Sequence, residues 1–318
     1  MSGEEQMMNT ASVNDGWIDN DGLRLHYVSW GRDDAPTVVM LHGLRSYAHT
    51  WAPVAAALAD RYRVVALDQR GRGLSDWDPR RDYYAAAYVR DLDALVRALG
   101  LRRFVLVGHS MGGANAFVYA AAQPERHAER HAERHAERHA ERLAGLVIED
   151  MGPGASAGSP GSERIKRELQ ETPDAFASWD DARAFWRRQR PNIAESALDS
   201  RIAHSLKEGE PGRIVWRHDA QGIAAARLAA TPEQLVHLWP LILNLHVPTL
   251  LVRGGDSDFL SADVAAEMAA ANAEIERIDI PGATHYVHDD QPDAFNRALR
   301  SWLDRLEDPA WRSGGVGE

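Results

Sequence analysis

The sequence predicts an α/β fold with a mostly parallel sheet and an inserted helical cap. In both terminal parts of the chain, short apolar runs of strand length alternate with helical stretches, which is typical of such a sheet. Between Gly152 and Val247 this strand signal disappears. The chain has 318 residues, about twice the ~150 expected for one domain. This length leaves room for a core and an insertion.

A hairpin should open the fold, because Asp21-Gly22 supplies a turn between Trp17-Ile18 and the alternating residues after it. Buried strands are then expected at 37–41, 63–67, 104–107, 146–149, 249–252 and 275–280. Helices are expected near 51–59, at 84–99 and through Phe295, Leu299, Trp302 and Leu306. The helix at 84–99 has one apolar face and is followed by Gly100, a residue favoured just after a helix.

The entry to the cap should be a flexible linker at 152–161, which is rich in glycine, proline and serine. Charged helical stretches with scattered tryptophans follow it. We therefore divide the chain into an N-terminal segment 1–15, a core in two parts at 16–153 and 247–307, a helical cap at 154–246, and a tail at 308–318.

One internal repeat interrupts the first part of the core at 125–142. Glu-Arg-His-Ala occurs four times and contains no large apolar residue, which predicts an exposed helix formed by tandem expansion. The alternative is a metal site, since the repeat places histidines four residues apart. These histidines are His127, His131, His135 and His139.

Composition excludes several classes of function. The absence of cysteine excludes disulfides, a thiol nucleophile and cysteine-ligated metal. With 36 basic and 47 acidic residues the net charge is −11, so nucleic acid and anionic membranes are poor partners. No apolar run is long enough to span a membrane, and the polar stretch 1–14 predicts a cytoplasmic protein. No dinucleotide or phosphate-binding motif occurs, so no cofactor is expected.

The strongest chemical signal is Gly108-His109-Ser110-Met111-Gly112, directly after one predicted strand and before a small-residue helix. This strand–turn–helix context is that of a nucleophile elbow, where a sharp turn exposes the serine hydroxyl. The flanking glycines avoid crowding between the strand and the helix. Ser110 is therefore the predicted nucleophile.

A serine nucleophile needs a base and donors for the oxyanion. His285 follows the last predicted strand and a small-residue loop, and we predict it as the base, with His288 as the rival. The loop His42-Gly43-Leu44 follows the first buried strand. It can direct the backbone N–H of Leu44 toward the same oxygen as the N–H of Met111. The alternative for this loop is an ordinary strand-ending turn.

The acid that orients the base should end an earlier strand. Asp256 and Asp258 both follow the predicted strand at 249–252, and Asp150 follows the strand at 146–149. We favour Asp258, with Asp256 and Asp150 as alternatives.

Together these motifs resemble the α/β-hydrolase superfamily, in its serine esterase and lipase branch. The resemblance rests on Leu41-His42-Gly43, on Asp68-Gln69-Arg70-Gly71-Arg72-Gly73-Leu74-Ser75, on the elbow and on His285, and it covers roughly 17–153 and 247–306. It implies an eight-stranded sheet, a cap over the active site and the triad order Ser, Asp, His. In similar members of the superfamily, the strand after the cap ends in Arg-Gly and is followed by Ser-Asp, and this resemblance supports Asp258 as the acid. In the commoner Gly-x-x-Asp arrangement, Ser257 would occupy the acid position.

Serine at position 110 argues against the dehalogenase and epoxide hydrolase branches, which the resemblance associates with aspartate there. The best interpretation is a carboxylic ester hydrolase, with lactones included, acting through Ser110, His285 and Asp258. Two alternatives remain: a meta-cleavage hydrolase of C–C bonds, and an inactive ligand receptor on the same scaffold.

The substrate pocket is predicted from proximity in sequence. Its candidate residues are Arg45, Tyr47, Trp51, His109, Trp186 and Tyr286. Arg45 could pair with the carboxylate of a half-ester, or it could lie on the surface of its loop. The expected partner is a small-molecule ester, and the expected assembly is a monomer or a homodimer.

Overall fold

The computed structural model of the chain describes residues 13–121, 143–155, 158–191, 193–210, 212–231 and 234–307. The Glu-Arg-His-Ala repeat with its four histidines lies outside these ranges. So do the tail at 308–318 and nearly all of the predicted N-terminal segment.

The first part of the core alternates strands and helices as predicted. Its elements are β1 (Val13–Asn20), β2 (Leu23–Trp30), β3 (Thr37–Leu41), α1 (Ala52–Leu58), β4 (Arg63–Leu67), α2 (Ala85–Ala98), β5 (Phe104–His109), α3 (Met111–Ala121) and β6 (Leu143–Glu149). Asp21 and Gly22 both have positive φ, 54° and 78°, and join β1 to β2 in an antiparallel hairpin. The predicted hairpin is confirmed.

The remaining elements form the insertion and the second part of the core. They are α4 (Pro160–Glu171), β7 (Ala175–Phe176), α5 (Trp179–Gln189), α6 (Glu195–Ser205), β8 (Leu206–Glu208), β9 (Ile214–Trp216), α7 (Ala220–Leu228), α8 (Leu238–Leu243), β10 (Thr249–Gly254), α9 (Ala262–Ala271), β11 (Ile275–Ile280), α10 (Val287–Asp290) and α11 (Pro292–Glu307).

The main sheet has eight strands in the order β1-β2-β4-β3-β5-β6-β10-β11. The pairings from β4 through β11 are parallel, and β2 joins β4 antiparallel. This order places β5 and β6 side by side, with β10 next to β6. The carboxyl ends of these three strands therefore meet at one edge of the sheet.

Helices cover both faces of the sheet, so its central strands are apolar on both sides. In β3, Val39 packs into a cluster with α2, α3 and α9, whereas Val38 packs into the opposite cluster with α1 and α11. Each strand residue alternates between these two layers. The two layers hold the strand ends rigidly in position.

The insertion departs from the predicted all-helical cap in two ways. Strands β7, β9 and β8 form a small antiparallel sheet, and Trp216 of β9 packs against Phe176, Phe185 and Trp186 in a separate cluster. In addition, Leu238 and Ile242 of α8 belong to the cluster of the main core. The apolar face of α8, which precedes the predicted boundary at 247, is therefore buried against the core. No helix within the described part of the chain is long and apolar enough to cross a membrane.

Candidate active site

Ser110 lies at the tight turn between β5 and α3. Its φ of 53° is in the left-handed region, which L-residues seldom adopt. A Cβ on Gly108 would lie 2.4 Å from the carbonyl oxygen of Gly112, and a Cβ on Gly112 would lie 2.3 Å from that of Leu41. Glycine is therefore required on both sides of the serine, because backbone packs directly against the turn.

A continuous row of hydrogen bonds joins Ser110, His285 and Asp150. Nε2 of His285 is 2.9 Å from Oγ of Ser110, and Nδ1 is 2.8 Å from Oδ2 of Asp150. Since a carboxylate only accepts, Nδ1 carries the proton and Nε2 is left to accept from the serine hydroxyl. Ser110 is 6% exposed, His285 2% and Asp150 0%. This buried row can transfer a proton away from the serine hydroxyl.

Two further groups hold the Asp150 carboxylate. The backbone N–H of Gly254 donates to Oδ1 at 3.0 Å, and the Ser257 hydroxyl donates to Oδ2 at 2.5 Å. Asp150 itself has a φ of 51°, and it directly follows β6. The carboxylate is thus oriented from the neighbouring strand β10 and its loop.

The expectation that Asp258 would contact His285 is wrong. The Asp258 carboxylate instead accepts two hydrogen bonds from Arg164 of α4, at 2.8 and 2.9 Å, and its carbonyl accepts from Gly161. The Arg164 guanidinium lowers the pKa of this carboxyl below its usual value. The loop after β10 turns Asp258 toward the insertion, where a charged partner is available. Asp256, the second alternative, is exposed to solvent.

A polar network supports the loop that carries Leu44. His42 donates from Nδ1 to the Gly43 carbonyl at 2.8 Å and accepts at Nε2 from the Gln69 N–H at 3.1 Å. The Gln69 side chain donates to the His42 carbonyl at 2.6 Å and accepts from Asn115 at 2.8 Å. Met111 is the first residue of α3, so its N–H has no partner within the helix.

Comparison with known proteins places this geometry in a family. The profile described as the alpha/beta hydrolase family matches residues 38–298, which is most of the chain. The chain belongs to the alpha/beta hydrolase family. The resemblance inferred from the sequence motifs is thereby confirmed, and so is the predicted eight-stranded α/β-hydrolase fold.

Several known proteins are similar to the chain over most of their length. The 2-(acetamidomethylene)succinate hydrolase of Mesorhizobium japonicum is 26% identical over 273 residues, which span 86% of this chain and 90% of that protein. Esterase Rv0045c of Mycobacterium tuberculosis is 28% identical, with 86% and 85% covered. A solved alpha/beta hydrolase from Novosphingobium aromaticivorans is 31% identical, with a TM-score of 0.74 and 92% and 99% covered. The relatives include hydrolases and esterases.

One sequence signal pointed away from Asp258. In the commoner alpha/beta hydrolase arrangement Ser257 stands where an acid would be, and in this structure its hydroxyl donates to Asp150. A serine at that position is compatible with a carboxylate partner of His285 that follows another strand. Among the described strands, β6 lies beside β5, which leads into the elbow, and β6 is directly followed by an aspartate, Asp150.

A second buried histidine–carboxylate pair lies next to this row. Nδ1 of His288 is 2.8 Å from Glu149, and its Nε2 is 3.1 Å from the Thr50 hydroxyl. Burial opposes the charged imidazole, but Glu149 and Asp289 raise the pKa of His288 above its usual value. His288 is thus a structural contact under the loop, and it does not contact Ser110.

Two cavities reach Ser110 in the described structure. The first, here called the apolar cavity, measures about 120 Å³ and is lined by Leu44, Met111 and residues of α2, α7 and α8. The second, here called the histidine cavity, measures about 30 Å³ and is lined by His109, His285 and His288. Both lie under the insertion.

In the described part of the chain, no group of three or more acidic or histidine side chains is arranged to hold a metal.

Four of the six predicted pocket residues line a cavity beside Ser110, and two do not. Arg45, His109, Trp186 and Tyr286 line the histidine cavity, but Arg45 is already paired with Glu168 and donates to Thr172. Trp51 is a core residue stacked on His288 and lines neither cavity, because it belongs to the cluster with α1. The Tyr47 hydroxyl contacts Ser200 of α6 and lines neither cavity. Their predicted roles as lining residues are therefore wrong.

Buried ion pairs connect the insertion to the loop that carries His285. Arg190 of α5 contacts Asp289 at 2.5 Å and Asp290 at 2.8 Å, and Arg201 of α6 contacts Asp289 at 2.8 Å. The Arg190 guanidinium also lies 3.9 Å from the ring centroid of Tyr286. The insertion thus packs directly against the residues beside His285.

The His42 network predicts a pH-dependent stability. Burial lowers the pKa of His42 from 6.5 to about 4. The unfolded chain therefore binds the His42 proton more tightly than the folded protein does. The contribution of neutral His42 to the free energy of unfolding is complete above pH 6.5 and is lost as the pH falls toward 4. The total loss is about 3 kcal/mol. Physically, protonation at Nε2 would place a donor against the Gln69 N–H.

We expect His42→Gln to weaken that dependence. Urea unfolding between about pH 7.5 and 5.0 should show a loss of stability about 2 kcal/mol smaller than in the wild type. The control variant His246→Gln replaces an exposed histidine, and it should lose as much stability over this pH range as the wild type. Equal losses for His42→Gln and the wild type would contradict the assignment.

Proposed function

We propose that the protein hydrolyses carboxylic esters through an acyl-enzyme on Ser110. The observation that carries this proposal is the hydrogen-bonded row Ser110–His285–Asp150, buried at the carboxyl ends of β5 and β6. The esterase among its relatives supports the same chemistry.

The proposed reaction uses the row in two steps. Oγ of Ser110 attacks the ester carbonyl while Nε2 of His285 takes its proton, and Asp150 stabilises the imidazolium through Nδ1. The oxyanion is held by the N–H groups of Leu44 and Met111. His285 then returns the proton to the departing alcohol, and in the second step it activates a water that cleaves the acyl-enzyme.

The two cavities suit the two halves of an ester. The leaving oxygen must lie within hydrogen-bond reach of Nε2 of His285, and His285 lines the histidine cavity. The acyl group is then directed into the apolar cavity, which Leu44, Ser110 and Met111 line together. We propose a small-molecule ester as substrate, a cytoplasmic location, and a monomer or homodimer.

The proposal is tested with methyl and 4-nitrophenyl esters from acetate to octanoate. We expect the wild type to turn over esters and to accumulate an acyl adduct on Ser110, detected by intact mass. Ser110→Ala should lose both turnover and adduct, and the exposed control Ser301→Ala should retain both.

An adduct that persists in Ser110→Ala would contradict the nucleophile. If no ester is cleaved, the same row of residues should next be tested on substrates with a hydrolysable C–C bond. Tight binding of a ligand without turnover would favour the receptor alternative.

A further inference from the structure

Among the described residues that line the apolar cavity, two are arginines and none is acidic. Arg72 and Arg227 both line it together with Ser110, and every other described lining residue is apolar, aromatic or an uncharged polar residue. Arg227 is on α7 of the insertion and is half-buried. A cavity that combines apolar walls with two guanidinium groups favours a ligand that is both apolar and anionic.

Arg72 is buried without a carboxylate partner. The residue is 0% exposed, and its hydrogen bonds go to the carbonyls of Leu44 and Arg70 and to the Tyr88 hydroxyl, at 2.7 to 2.8 Å. Among the described residues, Nη2 donates to the Met111 sulfur alone, at 3.4 Å, and sulfur is a weak acceptor. No carboxylate of the described chain lies within ion-pair distance of Arg72.

The rings of Tyr83 and Tyr88 lie 5.7 and 5.2 Å from the Arg72 guanidinium and add weaker cation–π contacts. A buried cation ordinarily requires an opposite charge, since desolvation is costly. The hydrogen bonds to neutral groups leave that requirement unmet. An anion bound in the cavity would supply it.

The histidine cavity is different, although it too is lined by two arginines. Arg45 is paired with Glu168, and Arg201 is paired with Asp289. Its positive charges are therefore already neutralised by the protein. The two sides of Ser110 thus differ, because both arginines of the histidine cavity have a carboxylate partner, whereas Arg72 of the apolar cavity has none among the described residues.

We propose that the natural substrate is a monoester of a dicarboxylic acid, whose free carboxylate binds Arg72 and Arg227 in the apolar cavity. This inference rests on the proposed function, since it assigns the acyl half of the same reaction. Water cleaves the ester to a dicarboxylate and an alcohol, and the alcohol leaves on the side of His285. The small histidine cavity favours a small alcohol.

The test compares two esters of the same shape. Methyl hydrogen glutarate carries a carboxylate at the end of its acyl chain, and methyl 5-methylhexanoate carries an isopropyl group there instead. A hydrogen bond to a charged group contributes about 1.5–3 kcal/mol, so we expect the wild type to prefer the anionic ester by about 10- to 100-fold in kcat/KM.

Arg227→Gln should reduce that preference by about tenfold or more. Arg72→Gln should also reduce it, and Arg72→Lys should restore part of it because the charge is kept. Arg188→Gln, an exposed arginine of the insertion that lines neither cavity, should leave the preference unchanged.

Binding of glutarate to Ser110→Ala, measured by calorimetry, separates this inference from the proposed function. We expect glutarate to bind, and binding to weaken about tenfold or more in Ser110→Ala/Arg227→Gln. Ester turnover with no preference for the anionic ester, or without glutarate binding, would overturn the inference and leave the esterase proposal intact. Glutarate binding without turnover of any ester would overturn the esterase proposal and retain the anion site.

Discussion

Asp150→Asn should lower kcat for ester hydrolysis by about 10⁴-fold, provided that Ser110 and His285 act as proposed. An amide at this position no longer dictates that Nδ1 of His285 carries the proton, so Nε2 would often be protonated and unable to accept from Ser110. The amide also cannot stabilise the imidazolium. The measurement is single-turnover or steady-state kinetics with a 4-nitrophenyl ester.

The matched control for this experiment is Asp258→Asn. It breaks the two hydrogen bonds to Arg164, and because Asp258 is 38% exposed in its side chain we expect less than about a fivefold change in kcat. The reverse pattern, with activity lost in Asp258→Asn and retained in Asp150→Asn, would exclude Asp150 as the acid. Circular dichroism of both variants checks that the fold is kept.

Arg70→Met should destabilise the protein by about 3–5 kcal/mol. Arg70 is fully buried and donates two hydrogen bonds to Asp91, at 2.6 and 2.7 Å, and one to Asp78 at 2.8 Å. Both carboxylates are buried as well. Removal of the shared cation leaves buried Asp91 without the arginine that donates to both its oxygens, and, among the described residues, it leaves buried Asp78 with Arg80 alone.

An exposed arginine provides the comparison. Arg305→Met removes an ion pair with Glu276 at the surface and should cost no more than about 1 kcal/mol. Urea unfolding measures both variants, with the slope of the transition as a check on two-state behaviour. A loss for Arg70→Met as small as that for Arg305→Met would mean that the buried charges find other partners or water.

Most of the core could be predicted from the sequence because its signals are local. The period of the apolar residues identifies the strands, and Asp21-Gly22 identifies the hairpin turn, since only a few residues accept its backbone angles. The elbow is also local, because a strained turn between strand and helix needs small residues around Ser110. The small sheet of the insertion was missed, because strands of two or three residues give too short a pattern.

The carboxylate that contacts His285 could not be chosen from the sequence, because three aspartates follow predicted strands. The distance from Asp150 to His285 depends on which strands are neighbours, and chain order does not contain that information. In the folded sheet β6 lies between β5 and β10, so Asp150 is bonded from the β10 side and faces the base. Asp258 has a nearer partner in Arg164.

By itself, the sequence determined the family, the α/β architecture, the position of Ser110 at its elbow and the candidate base His285. These features depend on local backbone geometry and on apolar periodicity. Only the tertiary structure decided which carboxylate contacts the base and which arginines are neutralised. Arg45 and Arg72 look alike in the sequence, but Glu168 lies against the first and no described carboxylate pairs with the second. Pairing of charges is a property of segments far apart in the chain, which only folding brings together.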